Sequence, residues 1–204
     1  MDADMMRILT GSCLGIGLAA ACGFRVFVPM LFISIAARAD YVHLSSGWEW
    51  VGSLPALIAF ATATGLEIAA YYVPWIDHLL DTLAAPAAVV AGTAITAACV
   101  GDIHPLLKWG LAIVAGGGSA AAVQAMTTTA RVVSTATTGG LGNPLVATAE
   151  AGAAVGLSAL AVFLPVAALA VVVALVIYSV RFVWRRMFGA TEAPAAPPQQ
   201  PVAG

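Results

Sequence analysis

The stretch ILTGSCLGIGLAAACGFRVFVPMLFISIAA, residues 8–37, decides how this chain folds. Arg25 is its only charged residue. As one straight helix it would run about 45 Å at 1.5 Å per residue, against a bilayer hydrocarbon core of roughly 30 Å. The stretch is too long for one crossing and too short for two. Gly23 and Pro29 flank the arginine. Glycine loosens a helix and proline removes an i→i−4 hydrogen bond, so a break belongs there. An arginine at bilayer depth costs a few kcal/mol at least and marks a site.

Residues 105–135 repeat the pattern, with an apolar entry carrying Lys108 and Trp109, the run Gly116-Gly117-Gly118, and then Thr127-Thr128-Thr129-Ala130-Arg131. Such polarity is costly against lipid and should face protein or water. Two interrupted apolar segments are how a pair of broken helices around a midplane binding site shows itself in a sequence. The expected fold is all-α: a polytopic helical membrane protein with two broken or re-entrant elements, one broken near Arg25 and one near Arg131, the two breaks meeting near mid-membrane.

Composition agrees. The chain has 204 residues, 61% of them hydrophobic and 9% charged, with a mean hydropathy of +0.98, whereas a soluble domain has about a quarter of its residues charged. Residues 1–188 read as one transmembrane domain of five to seven elements. The Ala/Pro/Gln-rich tail, 189–204, has nothing to bury and should be disordered. Net charge is −2 and the basic residues form no run beyond Arg181, Arg185 and Arg186, which argues against a nucleic-acid partner. By the positive-inside rule these arginines place the C-terminus in the cytoplasm of a cell (inner) membrane protein. An N-terminus on the same side gives an even number of crossings. Cys13, Cys22 and Cys99 lie in apolar runs without a CxxC pair and read as small packing residues.

Between the two long stretches, residues 51–73 are the plainest span, and they carry Glu67. Residues 74–83 are amphipathic, with Ile76, Leu79, Leu80 and Leu83 on one face and Asp77, His78 and Asp81 on the other, and should lie along the membrane surface. A small-residue helix follows over 84–100. Beyond the turn Gly139-Gly140-Leu141-Gly142-Asn143-Pro144 comes Glu150. The apolar run 151–183 then needs a kink at Gly156 or Pro165. The order small-residue helix, arginine, proline, glutamate, long apolar helix occurs twice, which suggests an inverted repeat with halves 8–101 and 105–185.

Several strings together resemble a known family: Gly23-Phe24-Arg25-Val26-Phe27-Val28-Pro29, then Glu67 with Pro74-Trp75-Ile76-Asp77-His78-Leu79-Leu80-Asp81 and Pro86-Ala87, then Gly142-Asn143-Pro144-Leu145-Val146 with Glu150. They are similar to the bacterial integral membrane family described as domain of unknown function 4126, over roughly residues 8–185. The family often has Asp-Lys where this chain has Tyr71-Tyr72, and Glu-Asp where it has Glu150-Ala151. The family name implies no activity, so function has to come from the residues.

Arg25, Glu67, Arg131 and Glu150 are the candidate substrate-binding residues, with Asn143 of the third string beside them. In low dielectric an isolated charge is expensive, so these four should pair or share a hydrated cavity. One reading has the arginines receive an anionic group, helped by half-helix N-termini, while the glutamates exchange a proton or hold a cation. The other has two ion pairs fixing the register of the bundle. Convergence on a wet pocket supports transport, and one-to-one pairing with Glu67 and Glu150 supports a scaffold.

Asp77, His78 and Asp81, even with Asp102 and His104, offer too few ligands for an oxygen-rich metal site and read as a solvated face. Gly15-Ile16-Gly17 mimics a dinucleotide fingerprint without a preceding strand, and Gly11, Gly15 and Gly116 to Gly118 read as close helix packing. The sequence has no HExxH, no GxSxG and no intramembrane aspartate pair, so no enzyme, cofactor or metal centre is expected.

The leading expectation is a small transporter or channel for an anionic or proton-coupled solute. Its partners would be that solute or a lipid phosphate, membrane lipids and, in a homo-oligomer, a second copy. One alternative is a lipid-phosphate flippase, since Arg25-Val26-Phe27-Val28-Pro29 locally resembles strings of the DedA superfamily. The other is a non-transporting membrane scaffold whose glycine faces bind partner membrane proteins, a role that the Pro-rich tail and the amphipathic segment 74–83 would suit.

Overall fold

In a computed structural model of the chain, the first stretch breaks at its arginine. The structure describes residues 3–72 and 74–188, and the side chains of residues 5–72 and 83–185. Helix α1 (Ala3–Cys22) ends as the N–H groups of Gly23, Phe24 and Arg25 bond back to Ala20 and Ala21 at 3.0–3.1 Å. Helix α2 (Phe27–Arg38) starts two residues later, with Pro29 in its first turn, where a missing N–H costs little. The chain then returns along α1: the Ser45 N–H donates to the Ala98 carbonyl at 2.8 Å, next to Gly11. Helices α1 and α2 therefore form a hairpin with Arg25 at its tip.

A 3-10 turn, Glu49–Gly52, leads into α3 (Leu54–Ala70), whose first turn is capped by the Ser53 hydroxyl accepting from the Ala56 N–H at 3.3 Å. Helix α4 (Pro74–Cys99) follows. Residues 74–83 are thus not a separate surface helix. They continue without interruption into the small-residue helix, because Pro86 removes only one internal bond between strong helix formers.

The second stretch also differs from expectation. Helix α5 (Pro105–Leu111), a π-helical segment (Ala112–Gly117) and α6 (Gly118–Thr138) form one continuous element that passes through Arg131 unbroken. The irregularity falls on the glycine run instead, and no Gly or Pro lies between Gly118 and Thr138 to break the helix later. The element ends at Gly139, whose φ of 65° suits glycine. Helices α7 (Asn143–Phe163) and α8 (Pro165–Phe188) complete the fold, and the kink expected at Gly156 or Pro165 falls at Leu164, ahead of the proline.

Helix α1 is the axis of the bundle. Leu18, Ala19, Ala20, Ala21 and Cys22 are fully buried, and α4, α6, α7 and α8 all pack on it. Glycines make this possible. A side chain at Gly11 would overlap the Cys99 carbonyl, one at Gly23 would come within 2.6 Å of the Ala120 oxygen, and one at Gly116 within 2.7 Å of the Gly92 oxygen, whereas Gly118 faces open space. The outside carries exposed Ile58, Leu66, Val90, Val114, Leu145 and Val166. Large apolar side chains outside and small ones inside suit a protein in lipid. Among the described residues four helical segments are long and apolar enough to cross a membrane: Met5–Cys22, Pro105–Thr138, Asn143–Phe163 and Pro165–Arg185. The chain is an all-α polytopic helical protein.

The contacts also fix helix directions. Gly11 meets Cys99 and Gly15 meets Thr96, so α4 opposes α1. Gly17 meets both Ala161 and Ala168, Ala147 meets Arg25, and the Ser179 hydroxyl reaches the Met126 sulfur beside the Gly23 level. Helix α7 therefore opposes α1 and α8 runs with it. The start of α1 and the end of α8 lie at opposite ends of the bundle, which corrects the even parity read from the sequence. The returning α2, too short to read as a span, supplies the extra reversal.

Candidate functional site

The hairpin tip inserts Arg25 between α3, α6 and α7. Gly23 lets the tip lie against the α6 backbone, and Arg25 itself is only 2% exposed. Its Nη2 donates to the Ala147 carbonyl at 2.8 Å and lies 3.4 Å from Glu150 Oε2. Arg131 reaches the same carboxylate from α6, with Nε donating to Oε1 at 3.1 Å and Nη2 donating to Oε2. That is a two-point fork, the strongest geometry for a guanidinium on a carboxylate. Both guanidiniums also lie over the Tyr71 ring, their Cζ atoms 3.7 Å (Arg25) and 4.3 Å (Arg131) from its centroid. The electron-rich ring face attracts the cations and replaces some of the water they have lost.

The two arginines expected at separate breaks therefore converge, although only one stands at a break. They do not pair one-to-one with the two glutamates. Glu67, 8% exposed, accepts the Val26 N–H at 2.7 Å and the Phe27 N–H at 3.0 Å. Its carboxylate thus occupies the first turn of α2, where free N–H groups and the positive end of the helix dipole stabilise an anion. The half-helix N-terminus read from the sequence as an aid to substrate binding is taken by the protein's own side chain. Among the described residues Glu67 forms no ion pair.

Asn143 also stands apart. Its side-chain amide donates to Thr135 Oγ1 at 3.1 Å and braces the α6–α7 turn, about two helical turns from Glu150 on α7. The threonines before Arg131 meet the cost of their polarity locally: Thr127 donates to Gln124 O and Thr129 to Ala125 O within their own helix. The side chains of Asp77, His78 and Asp81, like the tail 189–204, lie outside the described residues. Asp102 and His104 cannot join those three, because about 27 Å of α4, at 1.5 Å per residue, lies between Asp81 and the helix end at Cys99. Asp102 instead accepts from the Ser46 hydroxyl at 2.8 Å and the Ser46 N–H at 3.0 Å, and His104 Nδ1 accepts the Leu106 N–H at the start of α5.

Arg25 keeps two donors unused. Among the described residues its Nε and Nη1 are buried without a hydrogen-bond partner, a costly state for a charged group. Beyond the Tyr71 ring lies a cleft of about 360 Å³, lined by Val26, Phe27, Leu66, Glu67, Tyr71 and Leu83 among others. Among the described residues its lining is apolar apart from Glu67 and the tyrosine.

Tyr71 is the site residue that sequence reasoning missed. The one available signal was that it stands where the resembled family often has a charged residue. The Ala147 carbonyl had no signal, since any residue supplies one.

A family model described as Domain of unknown function (DUF4126) matches residues 12–185. No curated protein and no solved structure matches the chain.

Proposed function

The chain belongs to this DUF4126 family, and from its geometry we propose a small membrane transporter or channel for an anionic or proton-coupled solute, with Arg25 and Arg131 as the anion seat. The observation that carries this reading is Arg25: 2% exposed, held to Glu150 through one nitrogen, and left with two unused donors. A residue placed only to fix the bundle gains most by satisfying every donor, as Arg131 does more nearly with its fork. Donors left unused are what an incoming carboxylate, phosphate or inorganic anion would take.

Tyr71 stands between the cleft and the guanidiniums, so this arrangement is a closed one and the ring has to move for a solute to arrive. Glu67 holds the α2 N-terminus and does not bind solute. The reaction is movement without covalent change, so the protein is not an enzyme. The basic end of α8, Arg181 and Arg185, faces the cytoplasm on this reading, and the membrane is the cell inner membrane.

The apolar cleft favours a second reading, in which the anion is the phosphate of a lipid whose chain rests against Leu66 and Leu83. A scaffold is disfavoured, because the glycines expected to bind partners, Gly11, Gly15, Gly116 and Gly117, pack against this chain's own helices.

Flux into liposomes tests the proposal, with chloride, nitrate, inorganic phosphate, succinate and a short-chain labelled phosphatidic acid as probes. Arg25→Gln should insert, fold and lose flux. Full flux through that variant would overturn the anion seat, and flux of the lipid alone would select the second reading.

A further inference from the structure

At the opposite end of α1 from Arg25 lies a cleft of about 520 Å³, between the first turns of α1, the loop 41–45, the end of α4 and the α7–α8 joint. We propose that it seats one phospholipid with a zwitterionic phosphoethanolamine headgroup, the phosphate on Arg7 and the ammonium on Asp102. The site is separate from the arginine cluster and does not depend on transport.

Two opposite charges line this one cleft without meeting. Arg7 enters from α1, exposed, and among the described residues it forms no ion pair. Asp102 enters from the α4–α5 turn and is tied in place: its Oδ1 accepts the Ser46 N–H at 3.0 Å and the Ser46 hydroxyl at 2.8 Å, and lies 4.0 Å from Lys108 Nζ. Its Oδ2 has only a long contact with the Ser46 N–H, at 3.4 Å, which leaves that oxygen for an outside cation. The hydroxyls of Thr10 and Ser45 are already given to backbone carbonyls, of Met6 at 2.8 Å and of Ala97 and Ala98 at 3.1 Å. Arg7, Asp102 and the exposed His43 are therefore what the cleft offers a ligand. An anion alone would be repelled by Asp102 and a cation alone by Arg7, so the favoured occupant carries both charges.

The surroundings make that zwitterion a lipid. Ile8, near the start of the span Met5–Cys22, and Val162, near the end of the span Asn143–Phe163, both line the cleft, which places it at the membrane surface, the depth of headgroups. Buried Leu14 and Val100 give it an apolar floor. Next to Ile8 and Val162 in sequence, Leu9 and Phe163 are exposed and give acyl chains an apolar surface to follow. Tyr41 packs edge-on against Phe163, centroids 6.3 Å apart, and stands exposed among the lining residues, as interfacial aromatics do. A free zwitterion would use none of that apolar surface.

Native mass spectrometry of the full chain in detergent tests this, with dioleoyl phosphatidylethanolamine and dioleoyl phosphatidylglycerol offered together in equal amounts. The wild-type protein should retain phosphatidylethanolamine about fivefold over phosphatidylglycerol, the worth of one exposed ion pair. Arg7→Gln should weaken binding of both lipids. Asp102→Asn should remove the preference and leave phosphatidylglycerol bound. Arg38→Gln, in a neighbouring cleft that shares Val42 and Leu44, should change nothing. Equal retention of the two lipids by wild type, an unchanged preference in Asp102→Asn, or a preference lost in Arg38→Gln overturns the proposal. Glycerophosphoethanolamine, the headgroup without chains, should compete only in large excess, and competition at the lipid's own concentration overturns the lipid as occupant. If Asp102→Asn does not fold, phosphatidylcholine offered to wild type decides. Its ammonium has no N–H to donate, so it should bind less than phosphatidylethanolamine, and equal binding overturns the seat on Asp102.

Discussion

The carboxylate of Glu67 accepts the Val26 N–H at 2.7 Å across 41 residues of sequence. It ties α3 to the start of α2 and fixes the orientation of the tip that carries Arg25. Glu67→Gln keeps the size but loses the charge and one acceptor oxygen. The expected loss is about 1–2 kcal/mol, the range of a helix cap with its dipole term. Thermal unfolding in detergent, with hydrogen exchange at Val26 and Phe27, checks it. Unchanged protection at those two amides would show that the cap contributes nothing.

Arg131 and Glu150 form the two-point fork, so removing either one strands a buried charge. Arg131→Gln and Glu150→Gln should each lower stability by about 3–5 kcal/mol, and the double substitution should cost less than their sum. Arg25→Gln should cost less than Arg131→Gln, because Arg25 shares only one contact with the glutamate. Equal costs at the two arginines would contradict the asymmetry of the cluster.

Close packing predicts sharp differences between neighbouring glycines. Gly116→Ala places a methyl 2.7 Å from the Gly92 carbonyl oxygen and should destabilise the α4 contact by about 1–3 kcal/mol. Gly118→Ala meets nothing and should stabilise by up to about 1 kcal/mol through helix propensity. Melting temperatures that move in the same direction for both would refute the packing described.

The parallel course of α1 and α8 predicts that a label ahead of α1 and one behind α8 are accessible from opposite sides of the membrane. Impermeant reagents on intact and opened cells read this directly. Labelling of both from one side would contradict the helix directions.

At one end of the bundle, Asp102 is held below the 3.8 of a free aspartate, first by the Ser46 hydroxyl, then by the Ser46 N–H, with Lys108 nearby. A depressed acid contributes stability that is present above its unfolded value and is lost as pH falls through the folded one. The stability difference between wild type and Asp102→Asn should therefore be flat above about pH 5 and shrink as pH drops below the free value. A difference that grows on acidification would reverse the assignment.

The sequence by itself determined the class of the molecule: a helical chain for lipid, with a break at Arg25 and glycine-mediated packing along α1. These follow from length against bilayer thickness and from Gly and Pro chemistry, which are local. It also singled out Arg25, Glu67, Arg131 and Glu150 as charges needing company, since burial of charge in an apolar run is costly wherever the run folds. Only the tertiary structure decided who keeps that company. Glu67 and Glu150 are indistinguishable as letters, yet one lies at a helix terminus and the other between two guanidiniums, because helix directions determine which groups face them. The same holds for Tyr71, for the irregularity at Ala112–Gly117 in place of Arg131, and for the opposed ends of α1 and α8. Each depends on contacts between segments far apart in sequence, which apolar periodicity does not encode.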